Sequence, residues 1–562
     1  MRTGSNQKII NLIVLVTGVL TTLFLTPSLS SEPVDQPKML VSVIGGFALL
    51  GLLLGNFKSV ISSTNRIFIL LATLFAIQML AVIAFSGAPF NQQFFGTFGR
   101  NTGFLTYLSF LAISLAASVA IEEKFLSKYA ISLISLGVVS AFYSSLQTLG
   151  ADPIKWNNPY NSIIGFLGNP NFASSFLGIC AIVGVSLFLA PSTKWSIRIP
   201  IAIYIFWSLV LIYKSNSQQG LLVFFAGSAV VIYVAISKSN KFGSRPWRFL
   251  YVGATSLASS LVIGGILQFG PLTSLLYKTS VRQRGFYWHA AFEMMKRKPI
   301  LGTGLDSYGD WYFTLRSANA AFHTPQTQSN AAHNVYLDLG SGGGFPLFII
   351  NLLVVLLTFW CAIKLIRRMT TFNWPLAGLI GAYTGYAAQA LISINQIGLA
   401  IWGWILAGLI VGFEFKTRKV INNSESVPVT KRIRTVGRKT NQGNSSIYTG
   451  FLGLIIGSIL VFPYFSADAA YRSASASRDG NKVLKAVLAY PVDTQRVLQA
   501  AQLFANSNMK KQAMDLTDKV ISINPLSFNA WSLKYGLLDA NSPEKNVARE
   551  KLNELNPKIP TN

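Results

Sequence analysis

A chain of 562 residues with 51% hydrophobic and only 12% charged side chains is not a soluble enzyme, for which about 25% charged residues is usual. Its net charge of +27 is not a nucleic-acid signature either, because about half of the basic residues flank long apolar stretches, where they anchor topology against anionic headgroups. Cys180 and Cys361 both lie inside such stretches and suggest neither a disulfide framework nor a metal site.

Apolar stretches of about 18 to 20 residues, each able to cross roughly 30 Å of hydrocarbon, recur along the chain. They fall near 9–26, 39–56, 67–85, 104–121, 129–149, 172–190, 199–213, 220–236, 249–268, 345–363, 375–393, 398–415 and 447–466. The expected fold class is all-α, a polytopic integral membrane protein with about thirteen transmembrane helices. The 199–213 stretch is short. A cleavable signal is the rival reading of the first stretch, since Ser28-Leu29-Ser30 resembles a small-residue cleavage site; an uncleaved first span is the usual start of such a chain.

With the N-terminus cytoplasmic, 23 of the 47 Lys and Arg fall in cytoplasmic segments, eight of them between Lys416 and Lys439. That pattern obeys the positive-inside rule. It places the C-terminus of a multi-pass protein extracytoplasmic, with anionic lipids as partners. One outside loop breaks the rule. Residues 269–344 carry Lys278, Arg282, Arg284, Lys296, Arg297, Lys298 and Arg316, together with all three histidines, His289, His323 and His333. A loop of this length should hold helices of its own. In RQRGFYWHAAFEMMKRKP the apolar Phe286, Ala290, Ala291, Met294 and Met295 recur at helical spacing and Pro299 stops the run, as in an amphipathic helix at a membrane surface.

Two domains are expected: a membrane domain, 1–466, bearing the loop 269–344, and a soluble helical extracytoplasmic domain, 467–562. In the second, AYP ending at Pro491 and SINP ending at Pro525 stand 34 residues apart, and a third such stretch, ELNP, ends at Pro557. With Ala513 and Ala530-Trp531, this resembles tetratricopeptide repeats, suiting the tail to dock a protein partner or shape an acceptor entrance.

The chemistry is bounded by what is missing. There is no Asp-x-Asp, His-Glu-x-x-His, P-loop or Gly-x-Ser-x-Gly, so metal-assisted hydrolysis, nucleotide-sugar transfer and serine hydrolysis lack their parts. No cofactor or metal is expected. What the chain does contain is Arg-x-x-x-Trp (Arg284 to Trp288), then KPILGTGLDSYG, then HNVYLDLGSGGG, preceded by FFGTFGRNTGFLTYL and GNPNFAS. In order and placement this set resembles the O-antigen ligase and polymerase family, including the related protein O-oligosaccharyltransferases, over roughly residues 90 to 410. The resemblance implies inverting, metal-independent transfer of a glycan from undecaprenyl diphosphate to a hydroxyl on a lipid, glycan or protein acceptor. O-antigen ligase-like transfer leads; repeat-unit polymerisation and transfer to protein follow. A lipid-linked glycan transporter is the non-enzyme rival, disfavoured because charge gathers on one face rather than along the spans; an inactive scaffold is another.

Physical chemistry assigns roles to match. Arginine forks fit diphosphate oxygens, and a neutral histidine can take the acceptor proton. His333 is the candidate base, with Asn334 orienting it or the sugar; a histidine capping the next helix is the bland alternative. Arg284 is the candidate diphosphate clamp, or else a snorkelling side chain. Arg282 could take its place, and Arg100, in the Gly-rich stretch 96–103, adds a second charge or serves as an interfacial anchor. Asn171 reads as a helix N-cap, the glycines at 302, 304, 340 and 342–344 as backbone turns, His289 and His323 as bystanders, and Lys296-Arg297-Lys298 as a headgroup patch. Two departures stand out. KSNSQQGLL puts Gln218 or Gln219 where the family often has arginine, with Lys214 as the compensating cation. No acid follows His333-Asn334 at eight or nine positions, which leaves Asp338 as the nearest carboxylate.

Overall fold

The computed structural model describes residues 3–156, 163–425 and 442–558, and every regular element among them is helical. Each of the expected apolar stretches lies in a helix, from Thr3–Leu23 to Gln442–Ser477. Ten of these helices are long and apolar enough to cross a membrane, two more (Gln7–Leu23 and Phe104–Ala120) are shorter apolar helices, and Trp374–Ala390 spans 17 residues. The chain is a polytopic helical membrane protein. Residues 426–441, with five of the eight basic residues between Lys416 and Lys439, lie outside the described residues.

Small residues let the helices approach. A Cβ on Gly408 or Gly412 would strike the Ser114 or Ser118 carbonyl of the neighbouring helix Phe104–Ala120, the close backbone contact that drives helix association where lipid is as apolar as leucine. Leu12, Leu54, Ile67, Leu70 and Ile77 stay exposed, as lipid-facing side chains do. Helix Arg245–Ile266 touches the bundle lightly, through Tyr251, whose hydroxyl donates to Ala229 O at 2.8 Å. Charge inside the helices is tied down: Lys38, fully buried, donates to Thr22 O and Phe24 O at 3.0 Å, and Glu414 pairs with Arg368 at 3.0 Å.

Two boundaries differ from the apolar pattern. The helix expected from 345 begins at Val335 and runs to Arg368, because Asn334 caps it and YLDLGSGG already forms its first turns before a kink at Gly344. Gly344 has φ +73° and ψ −177°, and a Cβ there would sit 2.6 Å from Pro299 O and Ile300 O. Gly302 meets the same kink from the other side: a Cβ on it would sit 2.5 Å from Gly342 C and Gly344 N. These glycines allow two backbones to touch, and Thr303 N and Gly304 N donate to Ser341 O (2.8 Å) and Gly342 O (3.1 Å). The second difference is at 466. Helix Gln442–Ser477 continues through it, with Asp468 accepting from Ser31 N (2.7 Å) and Glu32 N (3.3 Å).

The long loop folds as predicted from its apolar spacing. Its main helix, Thr279–Arg297, buries Phe286, Tyr287, Ala290, Ala291, Met294 and Met295. Of these, Tyr287, Ala290, Ala291 and Met294 form a small core of their own with Tyr308, Tyr312, Phe313 and Ala332. The tail, helices Gly480–Val487, Thr494–Asn506, Lys510–Ile523, Phe528–Leu537 and Pro543–Leu555, packs on that loop. The Phe528 ring packs tilted against Phe313 (4.8 Å between centroids), and Arg316, fully buried, donates to Thr324 O, Pro325 O and Asn556 Oδ1 at 2.9 to 3.1 Å. Arg316 is thereby a structural cation.

Gly344→Ala should cost about 1–3 kcal/mol, the usual penalty for a side chain in a glycine-only backbone region; thermal unfolding of the detergent-solubilised protein measures it.

Candidate functional site

Three segments converge at the end of the bundle that carries the long loop. The first is the turn 96–103, wound tightly by left-handed Gly96 (φ +89°), Gly99 (φ +81°) and Asn101 (φ +53°). The second is 299–307. The third is 329–338, the polar stretch that opens the kinked helix. Arg100 ties them together. Its Nη1 donates to Asn330 O and lies 3.4 Å from Asp306 Oδ1, while Nη2 lies 3.7 Å from Asp338 Oδ2. Asp306 also accepts from Thr97 N (2.7 Å) and Thr102 Oγ1 (3.3 Å), and its carbonyl accepts from Thr97 Oγ1 (2.7 Å). Asp338 Oδ1 accepts from Ala332 N at 2.6 Å, folding its helix back over the residue before His333. Burial opposes the charge on Arg100, but Asp306 and Asp338 outweigh it and raise its pKa.

His333 sits in the left-handed region (φ +52°) with its ring stacked on Tyr287 at 5.2 Å and 26°. Tyr287 is one turn along the loop helix from Arg284. Burial, then the positive charges of Arg284 and Arg100, push the His333 pKa down to about 4. Both guanidiniums therefore bear on the imidazole, which is neutral at pH 7. Arg284 Nε donates to Ile392 O (2.8 Å) and Nη1 to Ser280 O (3.1 Å); among the described residues no carboxylate pairs with it. Arg100 is compensated and Arg284 is not.

The other candidates fall elsewhere. Asn334 Oδ1 accepts from Leu337 N at 3.1 Å, so Asn334, not His333, is the helix N-cap. Arg282 lies two residues before Arg284, about 200° around the helix, with its Nε buried and unpartnered among the described residues; the two cannot exchange places without turning the helix. Lys214 is exposed at the end of helix Trp195–Lys214. Asn171 is not the cap of its helix. Asn169 is, accepting from Asn171 N (2.9 Å), and Asn171 Oδ1 accepts from Ser217 Oγ (2.8 Å). Asp306 and Tyr287 were passed over by sequence reasoning; the position of Asp306 inside LGTGLDS, directly after the tightly packed Gly302 and Gly304, was the available signal.

Beneath this cluster an apolar crevice of about 410 Å³, its open mouth included, is walled by Tyr107, Tyr336, Leu339, Tyr383, Tyr386 and Trp404. Tyr336 belongs to the first turn of the helix that follows His333, and Asn395 Nδ2 donates to the Tyr107 hydroxyl at 2.9 Å.

The O-antigen ligase family model matches residues 203–352, which include Lys214, Arg282, Arg284, His333 and Asn334 but neither Arg100 nor the tail. No curated protein matches the chain. The family match, on a polytopic helical chain, supports a membrane protein of the glycan-transferring ligase or polymerase kind, working between a lipid-linked donor and an acceptor in the membrane.

Asn334→Ala should cost about 1 kcal/mol of stability as a lost N-cap, and Asn334→Asp or Asn334→Ser should restore most of it. Thermal unfolding measured beside transfer activity separates capping from contact with substrate.

Proposed function

We propose that this protein transfers a glycan from undecaprenyl diphosphate to an acceptor hydroxyl at the outer face of the inner membrane, in the manner of an O-antigen ligase, with inversion and without a metal. The observation that carries the reading is the neutral His333 flanked by two arginines, one of them lacking a carboxylate partner, above an apolar crevice. A lipid diphosphate presents two or more negative charges at headgroup level. Arg284 offers a guanidinium that no acid among the described residues occupies, and the tyrosine-walled crevice suits the first isoprene units of the lipid.

In the transfer step the acceptor oxygen attacks the anomeric carbon, its proton passes to the His333 imidazole, and the glycosidic C–O bond breaks. The electron pair leaves with the lipid diphosphate, where Arg284 and, more distantly, Arg100 hold the growing charge. Asp306 and Asp338 are engaged with Arg100, so neither is a free ligand for a bridging cation. The lowered His333 pKa makes a weak base of the empty site. A bound diphosphate offsets the two guanidiniums and lifts the imidazole toward the pH at which it accepts a proton readily. Donor binding thus readies the base.

Purified protein given lipid-linked glycan and acceptor should transfer it in the presence of EDTA. Arg284→Ala should lose about 100- to 1000-fold in kcat, as removal of an oxyanion donor does, while Arg282→Ala should lose far less. Full activity of both Arg284→Ala and His333→Ala would refute the site; loss of wild-type transfer in EDTA would refute the metal-free route. Product length separates single ligation from polymerisation.

The pH profile carries a further expectation. Because the neutral imidazole is the active form and its pKa is lowered, kcat/KM should hold level from about pH 8 down past the usual histidine value of about 6.5 and fall only at lower pH. The acid limb of kcat, which reports the donor complex, should lie at higher pH than that of kcat/KM.

A further inference from the structure

We propose that the C-terminal helical domain is a fixed part of the transfer apparatus, and that Asp310 is the positioning residue through which it holds Arg100; this rests on the glycan-transfer reading above. Asp310 stands between three segments of the chain. Its Oδ1 accepts from Asn524 Nδ2 at 3.0 Å, and its Oδ2 accepts from Gln92 Nε2 at 2.9 Å. Asn524 closes the tail helix Lys510–Ile523. Gln92 lies in the short helix Phe90–Phe95, which feeds directly into the turn 96–103. The same Gln92 nitrogen also donates to Asp306 O at 3.1 Å, and Asp306 is the carboxylate that fixes Thr97 N and pairs with Arg100. Polar contacts therefore run without a gap from Asn524 through Asp310, Gln92 and Asp306 to the Arg100 guanidinium.

The tail grips both sides of this path. Asn91 Nδ2 donates to Val492 O (3.0 Å), and Asn529 Nδ2 donates to Gln328 Oε1 (2.9 Å), whose own amide donates to Gly309 O (3.3 Å). Among the described residues Asp310 has no ion pair; its hydrogen-bond partners are the neutral amides of Gln92 and Asn524. A sheltered carboxylate with no counter-charge depends on its charge-assisted hydrogen bonds. One of the two exists only while the tail is docked. Releasing it leaves the charge underpaired and frees Gln92, and with it the loop backbone at Asp306 against which Arg100 is set.

The test uses full-length protein in detergent, an undecaprenyl-diphosphate-linked glycan as donor, and a double-mutant cycle between Asn524→Ala and Arg100→Lys. Asn524→Ala should lower kcat about 10- to 100-fold, as a misplacement of about 1 Å does, with KM and the unfolding temperature nearly unchanged. Asp310→Asn should do the same, and Asn524→Ser, which keeps a donor, should recover part of the loss. In the Arg100→Lys background, Asn524→Ala should cost less than about twofold, because the path ends at that guanidinium. If Asn524→Ala unfolds the tail, Asn524→Ser is read in the same cycle. Wild-type kcat in Asn524→Ala and Asp310→Asn, or losses that multiply with that of Arg100→Lys, would overturn the proposal. A wild type without transfer overturns the glycan-transfer reading, and this proposal with it.

Discussion

The buried ion triplet of Arg100 with Asp306 and Asp338 holds the loop-bearing end of the bundle in one geometry. Each partner lies on a different segment, and the Arg100, Asp306 and Asp338 side chains are 12%, 3% and 11% exposed. Removing one member of such a buried set costs about 3–5 kcal/mol, because it strands the charge that remains. The set therefore acts as a latch. The turn 96–103 cannot lift without exposing Asp306, and the His333 loop cannot open without detaching Asp338 from both Ala332 N and Arg100. The helices beneath add to this restraint: Thr106 Oγ1 donates to Asn101 O and Gln78 Nε2 donates to Ile300 O, both at 2.6 Å.

The latch also divides labour between the cations. Arg100 shares its charge with two carboxylates and spends it on architecture, whereas Arg284, among the described residues, donates to the carbonyl oxygens of Ile392 and Ser280 and pairs with no carboxylate. Carbonyls orient a guanidinium without neutralising it. A site with one compensated and one uncompensated arginine is stable when empty and still attracts an anion. His333, held in a left-handed backbone position against the Tyr287 ring, responds to both. Since Tyr287 and Arg284 lie one turn apart on the same helix, any shift of that helix moves the clamp and the base together.

Sequence alone made the membrane helices legible, because an apolar run of spanning length has few other uses. The buried stripe of the loop helix was legible for a similar reason: Phe286, Ala290, Ala291, Met294 and Met295 repeat at the period of a helix. His333 and Arg284 could be singled out because a rare histidine and unneeded positive charge shared one outside loop. The partners were harder to see. Asp306 lies 206 positions from Arg100 in sequence, and no periodicity links a turn to a segment so distant. The start of the kinked helix was missed because Gly340 to Gly344 read as a loop, whereas most of these residues are helical and only Gly344 leaves the helix. Arg316 was one of seven basic residues in the loop, and nothing in its spacing announced its buried bond to Asn556 in the tail.

The glutamine at 219 bears on how the cations are distributed. Gly227 packs on Gly381 and Gly385 on Val223, so the antiparallel helices Gln218–Ser237 and Trp374–Ala390 bring Gln219 level with Gln389. Both side chains are almost fully buried, at 5% and 1% exposure, and Gln219 has no hydrogen-bond partner among the described residues. A guanidinium in that place would need an acid beside it, for an unpaired buried charge costs far more than an unpaired amide. Three residues beyond Gln389, however, the carbonyl of Ile392 receives Arg284 from the loop. The Arg284 guanidinium thus lies near the level of these two glutamines, held there by a backbone carbonyl rather than by an acid among the described residues.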